Sequence, residues 1–180
     1  MILDHNVAPT LVELLKSEFI ILLTPALKTI GNIVTGDDSK TDQIIKLRVL
    51  PVISALLSHE KKNIIKEACW TLSNILGGTQ NYAEAVIECD GLIRRLIKVL
   101  KTADFDVKKE ACWAVGNYTC NGTHIQVLQI AMAGVIPPLC DMLTAHDDKM
   151  IQVALECISE RLCIKDTNAF HTKTDTKQPS

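Results

Sequence analysis

Apolar residues recur along this chain at helical spacing, in segments separated by short polar stretches, and the whole arrangement is repeated. Leucine-rich segments return at intervals of 42, 43 and 43 residues, at Leu15, Leu57, Leu100 and Leu143. Segments that end in asparagine return at intervals of 42 and 43 residues, at Asn32, Asn74 and Asn117. Prolines keep the same phase, at Pro9, Pro51 and Pro137. Several independent features with one period indicate an internal structural repeat.

A repeat of this length with helical composition predicts an all-α fold, a right-handed α-solenoid of the armadillo or HEAT type with about four units. Each unit is expected to contain a short first helix, a second helix that proline opens in three units, and a longer third helix. The units are residues 1–36, with a truncated first helix, 37–78, 79–122 and 123–163, the last a degenerate copy. Residues 164–180 are polar and are predicted to be a disordered tail. Glycines that follow the third helices are expected to end them in the left-handed conformation, at Gly77, Gly78 and Gly122.

Composition narrows the class of protein. The 180 residues are 47% hydrophobic and 22% charged, which is typical of a folded domain. A formal net charge of −2 gives no basic surface for nucleic acid. No apolar run approaches the ~20 residues that a membrane span requires, and the first residues lack the pattern of a signal peptide, so we expect the cytosol or nucleus. The apolar segments around most cysteines predict buried thiols rather than disulfides, at Cys69, Cys112, Cys140 and Cys157.

Two tryptophans lie at unexpected positions of the third helices. On an ideal helix over residues 62–76, at ~100° per residue, the apolar side chains share one face. Trp70 falls at the centre of the opposite, polar face, whose other members are Asn63, Lys66, Glu67, Ser73 and Asn74. Trp113 has the same surroundings on residues 106–119. Packing of each indole against the next repeat is the alternative, and an identical register for both tryptophans favours an exposed functional row instead.

This combination of side chains indicates a peptide-binding surface. An asparagine amide offers both a donor and an acceptor, so the row Asn32, Asn74 and Asn117 could pair with the backbone of an extended peptide. Indole walls at Trp70 and Trp113 would form slots for long aliphatic stems and would attract Lys or Arg cations. Carboxylates at the ends of the slots would complete the recognition, at Asp38, Glu67, Asp106 and Glu110. The predicted ligand is an extended peptide rich in Lys and Arg, and no catalytic motif, metal site or cofactor site is predicted.

Three segments carry a resemblance to a known family: residues 31–38 (GNIVTGDD), 66–75 (KEACWTLSNI) and 108–117 (KKEACWAVGN). They resemble importin alpha (karyopherin alpha), the armadillo adaptors for nuclear localisation signals, and in particular its later repeats around the minor signal-binding site. The likeness covers about residues 1–163. It implies that the asparagine row holds the peptide backbone, that the tryptophans form the basic side-chain slots, and that the acidic contacts come from Glu67, Glu110 and Asp38.

The resemblance also implies contacts that the residue pattern alone does not. Lys28 stands where the family usually has Arg, so the contact that this position makes stays cationic. Further positions near the peptide are Val34, Thr35 and Thr41, and Ser73 lies on the same polar face. The family usually has Ala-Gly where this chain has Leu47-Arg48, so one bend is expected to change.

The resemblance implies a nuclear import adaptor, found in cytoplasm and nucleus, with basic signal peptides of cargo proteins as partners. The segment that docks on importin beta is absent from the pattern, which implies a truncated form. The alternative function is a general armadillo scaffold that binds a partner protein without recognising signals, and the asparagine repeated in one register favours signal binding. An enzyme is not predicted.

Overall fold

The computed structural model describes residues 7–162, with the backbone alone at residues 160–162, and within this range the chain is helical, without a strand. The helices in chain order are α1 (Val7–Leu14), α2 (Ile20–Ile33), α3 (Asp38–Lys46), α4 (Val49–Leu56), α5 (Lys62–Leu76), α6 (Gln80–Glu88), α7 (Leu92–Thr102), α8 (Phe105–Asn121), α9 (His124–Met132), α10 (Ile136–Met142) and α11 (Asp148–Glu156). A π-helical segment, Cys157–Leu162, continues α11. The predicted disordered tail, residues 164–180, lies outside the described residues.

The expected order of two short helices and one longer helix is confirmed. The third helices α2, α5 and α8 have 14, 15 and 17 residues, whereas the first helices α3, α6 and α9 have 9 each. No single helix within residues 7–162 has both the length and the apolar character needed to cross a bilayer. Only α9 and α10 taken together meet both requirements, and an 85° bend separates them.

Stacked third helices build the core. α2 packs on α5, α5 on α8, and α8 on α11, and the second helices α4 and α7 cover one side of this stack. The predicted apolar face of α5 is confirmed for six of its seven members, which are buried: Ile64, Ala68, Cys69, Leu72, Ile75 and Leu76. The seventh, Ile65, is partly buried and packs against the core. Burial of one face leaves the opposite face of each third helix available for polar residues.

The sharp reversals of the chain occur between the first and second helices. Three residues there have positive φ angles, Arg48 (60°), Gly91 (70°) and Gly134 (92°), at intervals of 43 residues. Arg48 therefore keeps the left-handed turn that glycine forms in the next two units, and the bend expected to change at Leu47-Arg48 is preserved. The expectation of left-handed glycines after the third helices is wrong, since φ is −71° at Gly77 and −72° at Gly122. At Gly78 the requirement is space, because a Cβ atom there would lie 2.6 Å from the ring of Tyr82.

We expect Arg48→Gly to raise the free energy of unfolding by about 0.5–1 kcal/mol. A side chain in the left-handed region costs ~1–2 kcal/mol, and the extra backbone entropy of glycine offsets part of the gain. Gly134→Ala is the matched opposite change, because an added Cβ meets no atom within 4 Å and only the φ angle is strained. It should lower the free energy of unfolding by about 1 kcal/mol. Urea unfolding measures both, and equal stabilities of wild type and Arg48→Gly would contradict a strained turn.

Buried thiols account for half of the cysteines in the described part. Among the six cysteines of residues 7–162, Cys69, Cys112 and Cys157 are buried as predicted. Burial raises the pKa of Cys112 to about 12 and that of Cys157 to about 11, which keeps both protonated at neutral pH. The prediction is wrong for Cys140, which is exposed, because the buried face of α10 is formed by Pro138, Leu139 and Met142.

Candidate peptide-binding surface

The exposed faces of the third helices carry two rows of side chains in constant register, which we call the ladder surface. One row contains Lys28, Trp70, Trp113 and Glu156, and the other contains Asn32, Asn74 and Asn117. Lys28, Asn32 and Glu156 are exposed, and the two tryptophans with the other two asparagines are half-buried. Stacking of α2, α5 and α8 therefore aligns residues that are more than 80 positions apart in sequence.

Asparagine side chains link each third helix to the one before it. The Nδ2 amide of Asn74 donates to the carbonyl of Gly31 at 3.3 Å, and that of Asn117 donates to the carbonyl of Ser73 at 2.8 Å. Each of these amides uses one of two N–H donors and keeps the other N–H and its Oδ1 acceptor. A third link comes from a residue outside the predicted row, since Asn121 donates to the carbonyl of Leu76 at 2.7 Å. Asn74 and Asn117 are thus held in a defined orientation before any ligand arrives, which lowers the entropic cost of binding.

Trp70 contacts the preceding repeat with one edge of its ring. A Cβ atom at Gly31 would overlap Cζ3 and Cε3 of Trp70, so the indole lies directly on the glycine of α2. The side chain is only half-buried, and its remaining surface stays open. Packing on the preceding repeat and exposure of the indole therefore coexist.

A cavity of about 330 Å³ opens beside this indole, which we call the Trp70 slot. Its lining residues are Lys28, Asn32, Lys66, Glu67, Trp70 and Glu110. Glu67 is already paired, since its Oε1 atom lies 3.4 Å from Nζ of Lys28. Glu110 makes no ion pair or hydrogen bond with the described residues. Burial raises the pKa of Glu110, and Glu67 adds to this effect, whereas Lys66 and Lys109 oppose it. Glu110 is therefore the carboxylate of this slot that can accept an incoming cation.

A second cavity, of about 550 Å³, follows the asparagine row, and we call it the asparagine cleft. It brings together predicted site residues from three helices and their connections: Val34, Thr35, Asp38, Thr41, Ser73, Asn74 and Asn117. The two buried hydroxyl groups among them are engaged within the protein. Thr41, 2% exposed, donates to the carbonyl of Val34 at 3.3 Å, and Ser73, 5% exposed, donates to that of Trp70 at 2.8 Å.

The burial of Ser73 corrects its assignment to the exposed polar face. The small side chain lies at the seam between repeats, in the register that glycine occupies at Gly31 and Gly116. Close approach of the next third helix requires a small residue there: at Gly116 an added Cβ would lie 3.1 Å from Val153. Thr35 remains exposed, and its hydroxyl donates to the carbonyl of Asn32 at 2.7 Å.

Two residues of the surroundings were not predicted. Tyr82 is buried, and its hydroxyl donates to the carbonyl of Asp38 at 2.9 Å and to the carboxylate of Asp42 at 3.0 Å. Burial, together with that carboxylate, raises the pKa of Tyr82 to about 12, so the tyrosine stays neutral and anchors the start of α3. Lys149 of α11 places its Nζ atom 5.2 Å from the centre of a Trp113 ring. The repeat spacing could have revealed this contact, because Lys149 follows Trp113 by 36 residues, as Asp106 follows Trp70.

A stack of three-helix repeats with asparagine and tryptophan rows on its third helices defines an armadillo-type protein. The model of the armadillo/β-catenin-like repeat matches residues 37–77, 79–120 and 123–160. The chain belongs to this family.

Relatives and solved structures agree with this assignment. The chain is 46% identical over 156 residues to importin subunit alpha-1b of Oryza sativa subsp. japonica, with 86% of the chain and 29% of the relative covered. It is 44% identical over 177 residues to importin subunit alpha-3 of Arabidopsis thaliana, with 97% and 33% covered. The chain thus spans about a third of the length of these relatives. A designed armadillo repeat protein in complex with the peptide (KR)4 matches with a TM-score of 0.82 and 29% identity, over 87% of this chain and 65% of that chain.

Proposed function

We propose that the chain binds extended Lys/Arg-rich peptides of the nuclear localisation signal type on the ladder surface, as an importin-alpha-like adaptor in protein import into the nucleus. The observation that carries the proposal is the Trp70 slot, where an indole face and an unpaired carboxylate meet, next to the asparagine cleft with the oriented amides of Asn74 and Asn117. Similarity to importin alpha subunits supports the same ligand class.

The chemistry of the slot suits a lysine or arginine side chain. The aliphatic stem would lie along the indole of Trp70, and its cation would approach Glu110, where burial reduces screening by water. The free N–H and Oδ1 of Asn74 and Asn117 would then pair with the peptide backbone on either side. Backbone pairing gives affinity for any extended peptide, and the slot adds the preference for a cation.

The partners are cargo proteins with basic signals and, as for the family, importin beta, and the location is the cytoplasm and nucleus. The role is binding and transport rather than catalysis. The competing function is a general armadillo scaffold without signal recognition. Binding of a basic peptide, compared with that of a neutral control peptide, distinguishes this scaffold from a signal-binding adaptor.

The proposal predicts binding of the peptide (KR)4 with affinity that weakens as salt concentration rises. Charge–charge contacts are screened between about 50 and about 300 mM salt, whereas backbone pairing is affected far less. Fluorescence anisotropy of a labelled (KR)4 measures this, with a peptide of equal length in which alanine replaces every basic residue as control. Equal affinities for the two peptides would support the general scaffold and refute the proposal.

Glu110→Gln is expected to raise stability and weaken peptide binding at the same time. Because the pKa of Glu110 is raised in the folded state, that state binds more protons than the unfolded chain. The free energy of unfolding therefore falls as the pH rises from the ordinary pKa of glutamate through the raised pKa. The amide removes this cost at pH 7, so the melting temperature should increase. Loss of the carboxylate should lower the affinity for (KR)4 about three- to tenfold.

The control for this change is Glu84→Gln, an exposed glutamate on α6 away from both cavities. It removes the same charge and should leave melting temperature and affinity unchanged. A lower melting temperature for Glu110→Gln, or unchanged affinity, would show that the carboxylate serves the fold rather than the ligand.

A further inference from the structure

The two tryptophan slots differ in the residue that the following repeat presents to them. Asp106 lies 36 residues after Trp70, and Lys149 lies 36 residues after Trp113, at equivalent positions of α8 and α11. The Lys149 Nζ atom is 5.2 Å from the centre of a Trp113 ring, within the ~6 Å range of a cation–π contact. Trp70 has no such contact with a cation among the described residues.

Neighbouring charges leave Lys149 with the indole as its partner. Asp147 on the same helix lies 3.5 Å from Lys109, and Glu156 accepts a hydrogen bond from Gln152 at 2.8 Å. Among residues 7–159, whose side chains the structure describes, Lys149 makes no ion pair. At the other slot the charge is reversed, since the Asp106 carboxylate lies 3.9 Å from Lys66. At the Trp70 slot this position thus bears a carboxylate that pairs with Lys66, whereas at the Trp113 slot it bears an ammonium group that lies over the indole.

We propose that Lys149 is a specificity-determining residue that occupies the indole face of Trp113 in place of a ligand cation. A basic peptide is then accepted at the Trp70 slot and disfavoured at the Trp113 slot, because a second cation would have to displace Lys149 and would be repelled by its charge. A neutral side chain meets no such repulsion. The inference rests on the proposed peptide-binding function, and it assigns unequal roles to two tryptophans of identical register.

The test compares Lys149→Met, which keeps the length of the side chain and removes its charge, with Lys98→Met. Lys98 is an exposed lysine of α7 that lines neither the Trp70 slot nor the asparagine cleft, so its replacement controls for the change in net charge. Affinity for (KR)4 should rise about two- to fivefold for Lys149→Met relative to the control. The gain should disappear when Trp113→Ala is combined with Lys149→Met.

A second measurement does not need the peptide. In a Trp70→Phe background, Trp113 is the only tryptophan of the chain. Acrylamide should quench its fluorescence more strongly after Lys149→Met than after Lys98→Met, because removal of the ammonium uncovers the ring. Equal quenching in the two variants overturns the inference, whatever the binding result.

The outcomes separate this inference from the function on which it rests. If wild type binds (KR)4 no better than the alanine control peptide, both are refuted. If wild type prefers (KR)4 and Lys149→Met binds it as Lys98→Met does, this inference alone is overturned. A gain that persists without Trp113 would also overturn it, since the effect would then be general charge repulsion.

Discussion

Trp70→Ala should lower the affinity for the peptide (KR)4 by about 10- to 30-fold, as expected for the loss of a cation–π contact of ~1.4–2 kcal/mol in a partly desolvated slot. The same change should lower the free energy of unfolding only moderately, because one edge of the indole packs on Gly31 and the rest is open. Anisotropy titration and thermal unfolding on the same sample measure the two effects. A loss of stability as large as that of a core deletion, with unchanged affinity, would make Trp70 a packing residue.

A pair of glycine variants tests the position of the indole without removing it. Gly31→Ala introduces a methyl group that overlaps the ring of Trp70 and should displace it from the slot. Gly116→Ala has the same register two repeats further on, where the methyl group would meet Val153 rather than an indole. Both changes should lower the free energy of unfolding by about 1–3 kcal/mol through overpacking. Only Gly31→Ala should also lower the affinity for (KR)4.

Leu72→Ala should lower the free energy of unfolding by about 2–5 kcal/mol, the largest effect on stability expected for this chain. Leu72 is fully buried on α5, between the neighbouring third helices, so its truncation leaves a cavity in the stack. Urea unfolding measures the change. The exposed Leu155 of α11, with 48% of its surface accessible, provides the control, and Leu155→Ala should cost less than ~1 kcal/mol.

Binding distinguishes this core variant from the tryptophan variant. Under conditions where Leu72→Ala is folded, its affinity for (KR)4 should stay within about twofold of wild type, because its side chain points away from the ladder surface. A loss of affinity similar to that of Trp70→Ala would mean that core packing and slot geometry cannot be separated. Similar stabilities of Leu72→Ala and Leu155→Ala would contradict the assignment of the core.

Periodicity made the buried and exposed faces of the third helices predictable. A helix repeats every 3.6 residues, so the positions of Leu72 and Trp70 on opposite faces follow from their spacing alone. The 42- to 43-residue period likewise predicts which residues of successive third helices share a register, as Asn74 and Asn117 do. These features depend on local geometry and repetition, which the order of residues contains directly.

Features at the seams between repeats could not be predicted in this way. The burial of Ser73, the amide links from Asn74 and Asn117 to the preceding helix, and the contact of Lys149 with Trp113 all depend on how closely two third helices approach. That distance is the result of packing across the whole interface, in which side chains from several helices share one space.

The sequence by itself determined the class of fold, the core face of each third helix and the two rows of the ladder surface. Only the tertiary structure decided which polar groups of those rows are already engaged and which remain open. Glu67 and Glu110 occupy one register, yet Lys28 pairs with the first and no described residue pairs with the second. Helical period sets the face on which a charge lies, but its partner is set by the separation of atoms from different repeats, because ion pairs and cation–π contacts act over only a few ångströms.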